Sequence, residues 1–333
     1  MSAALLEVSG LKVDFRTLRG IVKALDGVDL VIEKREIVGL VGESGCGKTI
    51  TGMAALGLLP KPQAVVTGGQ VLFAGQDILK MDERQLRQVR GRDVSMVFQD
   101  PFASLNPVFS IGDQITRVVV EHGKCSRSEA RDRARKALGD VGLPVSGALM
   151  SSYPHQLSGG MRQRVCMAMA ISCDSPLLIA DEPTTALDVT IQMQILRLLL
   201  RFRNDFGVAQ LLITHNVGVA AQTCDRIAVM YAGQVVEQGP TVEIVKRPRH
   251  PYTLALYACL PHGKEVGQLE TIPGSVPDLI DPPTGCRFHP RCVRAMEICA
   301  VQKPATIEVA ERHTVACHWV AGRTRDARHT EHR

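Results

Sequence analysis

Residues Gly42 to Thr49 read GESGCGKT, the spacing G-x-x-x-x-G-K-[ST], and the run lies between an apolar segment, IVGLV, and one with helical spacing, TITGMAALGLL. A glycine-rich turn between a strand and a helix points successive backbone N–H groups at one spot, and the helix N-terminus adds the positive end of its dipole. Such a loop suits a phosphate chain. Lys48 supplies a point charge for the outer phosphate oxygens, the Thr49 hydroxyl suits Mg²⁺, and Ser44, Gly45 and Gly47 shape the cradle. A second place for chemistry is LLIADEP, which ends a buried strand on Asp181 and Glu182. The first carboxylate is placed to hold Mg²⁺ through water and the second to polarise an attacking water.

The elements that must position these groups alternate. Short β-rich pieces fill residues 5 to 41, and residues from about 100 to 165 are mostly helical, as KCSRSEARDRARKALGDVGL illustrates. The strand LLIAD, a helix over VTIQMQILRLLLRFRNDF, the strand VAQLLITH and a strand pair around RIAVMYAGQVVEQG follow. The alternation predicts an α/β fold with a mainly parallel sheet and helices on its faces. After about residue 245 prolines recur and periodicity fades, so the expected division is a main domain over 1–245 and a C-terminal extension over 246–333.

Composition narrows the class. A net charge of +5 from 39 basic and 34 acidic residues, with 4% aromatic residues, gives no footprint for nucleic acid. No apolar run nears the roughly 20 residues of a membrane-spanning helix, and the start MSAALLEVSG has no signal-peptide pattern. A cytosolic chain is the expectation. There thiols stay reduced, so clustered cysteines point to metal. Cys286, Cys292, Cys299 and Cys317 form such a set with spacing C-x5-C-x6-C-x17-C. Four thiolates complete either a tetrahedral zinc site or a 4Fe-4S cluster, and His289, His313 and His318 keep a mixed zinc site open.

The ordered set GESGCGKT, Gln99 in VFQDP, LSGGMRQR at 157–164, LLIADE, ALD at 186–188 and His215 resembles the nucleotide-binding subunits of ABC transporters. The resemblance covers about residues 5 to 245. It implies a P-loop ABC ATPase with a RecA-like core, an antiparallel β subdomain and a helical subdomain carrying the signature. It implies that ATP is bound by Phe15, stacking on adenine, and by Gly42, Ser44, Gly45, Cys46, Gly47, Lys48, Thr49 and Asp181. Mg²⁺ falls to Thr49, Gln99 and Asp181, and catalysis to Glu182, His215 and Gln99. Ser158, Gly159, Gly160 and Gln163 then face ATP held by a partner subunit, and Asp188 bridges to the partner's loop. Two departures stand out: Cys46 where serine is frequent, which raises sensitivity to thiol reagents, and Asn216 where aspartate is usual, which bears on how His215 is oriented.

FQDPFASLNP at 98–107, YPHQLSGGMRQR at 153–164, RHPYTLAL at 249–256 and the tail IPGSVPDLIDPPTGCRFHPRC look like the dipeptide and oligopeptide importer ATPases. That similarity implies a 4Fe-4S cluster on the four cysteines, with zinc the alternative. It implies a second ABC ATPase subunit, a paralogue, two transmembrane permease subunits and an extracytoplasmic peptide-binding protein, with the chain peripheral on the cytoplasmic face of the inner membrane. A nickel, glutathione or other small-solute importer is the nearest competing reading. A soluble ABC protein acting on DNA or ribosomes usually carries paired motors or a long coiled coil, and this chain has neither. Intact Lys48, Asp181, Glu182 and His215 oppose a metal-binding regulator with a vestigial nucleotide site.

Overall fold

The computed structural model describes residues 4–185, 187–259 and 271–323. The first residues of MSAALLEVSG, Ala186 of the ALD motif and the basic tail from 324 onward lie outside the described residues. The chain divides into two compact units. One gathers Ile32–Ile37 and Asp77–Ile213 with the chain start up to Leu5, and the other holds Leu6–Val31, Val38–Gln76 and Thr214–Arg333.

In the first unit three parallel strands lie side by side, Val94–Val97, Leu177–Asp181 and Ala209–Thr214, with Val97 beside Ala180 and Asp181 beside Ile213. Parallel neighbours need a long crossover. Helix Val189–Phe206 supplies it between the last two strands, capped by Asp188 at its start and by Gly207, at φ 70°, at its end. Residues 177–180 are almost wholly buried, as a continuous apolar run in a two-sided sheet requires. The helical part comprises Ile111–Gly123, Arg127–Asp140 and Gly159–Ile171 with two shorter helices, Pro101–Ser104 and Gly147–Ser151. Ser110, Ser126, Ser146 and Ser158 each accept a backbone N–H at the start of one of these helices, satisfying a donor that the helix cannot. The signature helix runs to Ile171, beyond the expected limit near 165.

In the second unit Ile37–Val41 runs parallel to Arg226–Tyr231, which pairs antiparallel with Gln234–Pro240. A separate antiparallel sheet contains Ala4–Thr17 and Ala64–Phe73, with Phe15 opposite Ala64. The helix after the glycine loop is shorter than its apolar spacing predicts, Lys48–Ala54.

The larger difference lies past residue 245. There Thr306–Ala310 and His313–Ala316 form a hairpin whose second strand pairs with Gln234–Pro240, placing Val315 opposite Glu237. Val315, Cys317 and Val320 form its core, with Ile307, Val309 and Trp319 packed against them. The C-terminal region therefore extends a sheet rather than trailing as irregular chain. Its register is pinned by Glu237, whose carboxyl accepts from the Arg249 N–H (2.7 Å), the His250 N–H (2.9 Å) and His313 Nε2 (2.8 Å).

His250 starts helix Pro251–Ala258, and its Nδ1 accepts the Tyr252 N–H at 3.0 Å. Burial drives its pKa from 6.5 down to about 4, against the opposing pull of Glu237. The unfolded chain thus binds the extra proton first, and the stability carried by neutral His250 is present above pH 6.5 and lost as pH falls towards 4. Between pH 7 and pH 5 the wild-type chain should lose roughly 2 kcal/mol more than His250→Asn, which keeps the cap without the titration. Denaturant unfolding at the two pH values measures this, and equal losses would contradict it.

Candidate nucleotide site

The loop 42–49 is shaped by what lies beneath it. Gly47 takes φ 107°, and a Cβ there would meet Leu25 Cδ2 at 2.7 Å and Met230 Cε at 2.8 Å. Gly45 also has positive φ, 78°, but nothing lies within 4 Å of a Cβ built on it. The loop is packed tight below and open above, as a cradle for an incoming anion must be. Lys48 is 5% exposed. Its Nζ donates to the carbonyls of Gly42 (2.9 Å) and Glu43 (3.0 Å), and no carboxylate among the described residues pairs with it. A buried ammonium satisfied by neutral dipoles rather than by a carboxylate is a strong site for phosphate oxygens. Ser44 and Thr49 are exposed at the loop's rim.

Cys46 is fully buried, with its Sγ 3.8 Å from Lys48 Nζ. Burial pushes its thiol pKa up, and the Lys48 charge offsets this only in part. The expected sensitivity to thiol reagents is therefore corrected: a buried neutral thiol is a poor nucleophile.

His215 is exposed just past the end of strand Ala209–Thr214. Asn216 next to it caps helix Val217–Thr223, its Oδ1 accepting from Gly218 N (2.9 Å) and Val219 N (3.2 Å). An amide does this as well as a carboxylate, so the departure from aspartate keeps the helix cap. Phe15 is half-buried on its strand.

In the first unit Asp181 ends its strand 2% exposed. Glu182 follows with φ 46°, an uncommon conformation for a side chain of its size. Its N–H is tied to Ile213 O at 2.8 Å. Its carboxylate accepts from Thr185 Oγ1 (2.8 Å) and Gln99 Nε2 (3.2 Å). A backbone outlier held by its neighbours at a carboxylate is the kind of local strain found at reactive centres. The structure thus brings Gln99 and Glu182 together and adds Thr185, which the sequence reading missed.

Ser158 caps the signature helix, its Oγ accepting the Met161 N–H at 3.3 Å. Space is open over Gly159, while a Cβ on Gly160 would stand 2.9 Å from Ile191 Cγ2. The 13-residue helix therefore presents an accessible N-terminal end suited to an anion. Gln163 is 3% exposed. Arg162, also unforeseen, donates through Nε to Pro154 O at 2.6 Å and lies over the Phe102 ring at 3.9 Å, fixing the turn that leads into the signature. Asp188 is engaged as the cap of its helix, accepting from Ile191 N at 2.9 Å.

Burial holds three of the four C-terminal cysteines, Cys286, Cys292 and Cys317, towards the protonated thiol. Burial raises the Cys286 thiol to about 11, a backbone N–H at Phe288 opposes it, and the other three cysteines raise it further. Cys292 and Cys317 are raised by burial and opposed by backbone N–H donors, from Arg294 and from Val320 and Trp319 respectively. Such N–H donors stabilise a ligand thiolate. No three His, Cys, Asp or Glu side chains among the described residues, the four cysteines included, are grouped so that they could hold a metal ion. The histidines point elsewhere: His289 to Cys286 O, His313 to Glu237 and His318 to Gln302 O.

A phosphate loop on a parallel sheet, with a strained acidic strand end and a serine-glycine helix start, defines a P-loop nucleotide-binding cassette. Residues 25–185 match the ABC transporter family, and residues 236–299 match the oligopeptide/dipeptide transporter C-terminal region. The chain is 46% identical to the probable peptide ABC transporter ATP-binding protein y4tR of Sinorhizobium fredii, over 94% of each chain. It is 45% identical to the dipeptide transport ATP-binding protein DppD of Bacillus subtilis, over 94% of this chain and 93% of that one. Among solved structures, the dimeric post-hydrolysis state of the ATP-binding cassette MJ0796, bound to ADP and Pi, superposes with a TM-score of 0.63. That likeness has 28% identity and covers 71% of this chain and 98% of that one. The chain belongs to the ATP-binding proteins of ABC transporters, in the branch that carries the peptide-transporter C-terminal region.

The burial of Cys46 is directly measurable. In the native chain a thiol reagent applied at pH 8 should leave Cys46 unmodified, and denaturation should expose it, as read by peptide mass spectrometry. Rapid native labelling of Cys46 would contradict the packing described.

Proposed function

We propose that this chain binds and hydrolyses ATP at the cytoplasmic face of the inner membrane to drive uptake of dipeptides or oligopeptides through two permease subunits. The observation that carries the nucleotide reading is the buried Lys48 ammonium, held by two carbonyls and no carboxylate under an open loop. The peptide reading is supported by relatives named for peptide and dipeptide transport and by the match of residues 236–299. A peptide-binding protein outside the membrane delivers the substrate. No helix among the described residues is long and apolar enough to cross a membrane, and the crossing itself is assigned to the permeases.

In this reading Lys48, Thr49 and the loop amides hold the phosphates, and Phe15 stacks on the adenine. Thr49, Asp181 and Gln99 are the residues to hold Mg²⁺, which supplies charge neutralisation on the phosphates. Glu182, oriented by Gln99 and Thr185, polarises the attacking water, and His215 steadies it. Ser158, Gly159 and Gly160 present the signature helix end to ATP held by a second, paralogous ATPase subunit, and Asp188 and Gln163 belong to that interface. Residues 246–333 form an extension in which Cys286, Cys292, Cys299 and Cys317 bind a 4Fe-4S cluster. The C-x5-C-x6-C-x17-C spacing and the backbone N–H donors at Cys286, Cys292 and Cys317 support this reading, with zinc as the alternative occupant.

In the assembled transporter Lys48→Ala should abolish nucleotide binding. Glu182→Gln should retain ATP while turnover falls by about 100-fold or more, within the range for loss of a general base. Normal turnover in Glu182→Gln would move the base elsewhere. Protein purified without oxygen should be brown and lose its iron in Cys292→Ser; colourless protein with stoichiometric zinc would refute the cluster.

A further inference from the structure

Glu43 is the first variable residue of the phosphate loop, and each of its polar groups is held. Its N–H donates to Tyr252 Oη at 3.0 Å, and its carbonyl accepts from Lys48 Nζ at 3.0 Å. Its carboxylate is gripped by both terminal nitrogens of Arg291, Nη1 to Oε2 at 2.7 Å and Nη2 to Oε1 at 3.0 Å. The Arg291 side chain is 5% exposed and that of Glu43 26%, so this pair is far less screened than a surface ion pair.

Arg291 is itself anchored. Its Nε donates to Pro273 O at 2.9 Å, Nη2 to Ile272 O at 3.2 Å and Nη1 to Tyr231 Oη at 3.3 Å. It closes a short turn, His289–Arg291, between Cys286 and Cys292. Phe288, just before that turn, packs on Tyr231 and Tyr252 with ring centroids 5.1 and 5.3 Å apart. Arg291, 248 positions away, therefore holds the side chain of the residue whose carbonyl holds Lys48, and Tyr252 holds its N–H.

We infer that Arg291 is a positioning residue of the nucleotide site, through which the cysteine-bearing C-terminal region sets the affinity of the phosphate loop for ATP. The inference rests on the reading of loop 42–49 as the ATP site. Through Glu43 the guanidinium fixes the first peptide of the loop in the orientation that keeps Lys48 beneath the cradle. Without that grip the loop must order itself when ATP arrives, and the cost appears as weaker binding. Lysine is a poor substitute, because one ammonium cannot span two carboxylate oxygens and two backbone carbonyls at once.

The test is calorimetric titration of the full chain with Mg-ATP, alongside the ATP dependence of turnover in the assembled transporter. Arg291→Gln and Glu43→Gln should each weaken ATP binding by about tenfold, a coupling of ordinary size. They should raise KM for ATP more than they lower kcat, with Arg291→Lys intermediate. Because both act through one contact, the double variant should be no weaker than either single one. Wild-type affinity in folded Arg291→Gln, or additive losses in the double variant, would overturn the inference. If Arg291→Gln does not fold, Glu43→Gln decides alone, since it leaves the bonds of Arg291 to Ile272 and Pro273 intact; unchanged affinity there overturns it equally. Lys48→Ala serves as the control for the site itself. Normal ATP binding by Lys48→Ala would bring down the ATP-site reading, whereas a Lys48→Ala defect beside normal Glu43→Gln binding would bring down only the role of Arg291.

Discussion

A buried ammonium group cannot be left without compensation, and the surroundings of Lys48 are arranged around that constraint. Placing the charge among carbonyls rather than beside a carboxylate keeps it satisfied without neutralising it. The packed underside of Gly47 sets the loop's height over Leu25 and Met230, and the open space over Gly45 leaves the upper side to the ligand. A carboxylate beside Lys48 would compete with phosphate for the same charge. The one acidic side chain of the loop, Glu43, is instead turned to Arg291.

The first unit meets a different constraint, that of holding a carboxylate ready without letting it relax. Glu182 sits in left-handed backbone geometry, tied through its N–H to the neighbouring strand and through its carboxylate to Gln99 and Thr185. Those contacts offset a conformation that costs on the order of 1–3 kcal/mol. Strain of this kind survives only where the surrounding sheet over-determines it, and Asp181 and the fully buried strand before it supply that rigidity.

Much of this was legible in the sequence because it is local. The glycine loop, the LLIAD strand and its two carboxylates, and the long helix 189–206 are each written in contiguous residues whose spacing dictates one geometry. The C-terminal region was not legible for the opposite reason. Its hairpin strands are only five and four residues long, and the second of them pairs with Gln234–Pro240, far earlier in the chain. Nothing in HPRC announces that Arg291 reaches Glu43, because the contact depends on tertiary placement alone. The reactivity expected of Cys46 failed likewise: the loop motif gives its position but not the burial that silences it. Asn216 is a departure that still caps its helix through Gly218 and Val219.

The central claim is that Lys48 is held in reserve by two backbone carbonyls for a phosphate chain. A crystal structure of the full chain with Mg²⁺ and a non-hydrolysable ATP analogue tests it most directly. The account predicts phosphate oxygens within hydrogen-bond distance of Lys48 Nζ and the loop amides, with Glu43 still paired to Arg291. Nucleotide bound elsewhere, or Lys48 turned away from the phosphates, would contradict it.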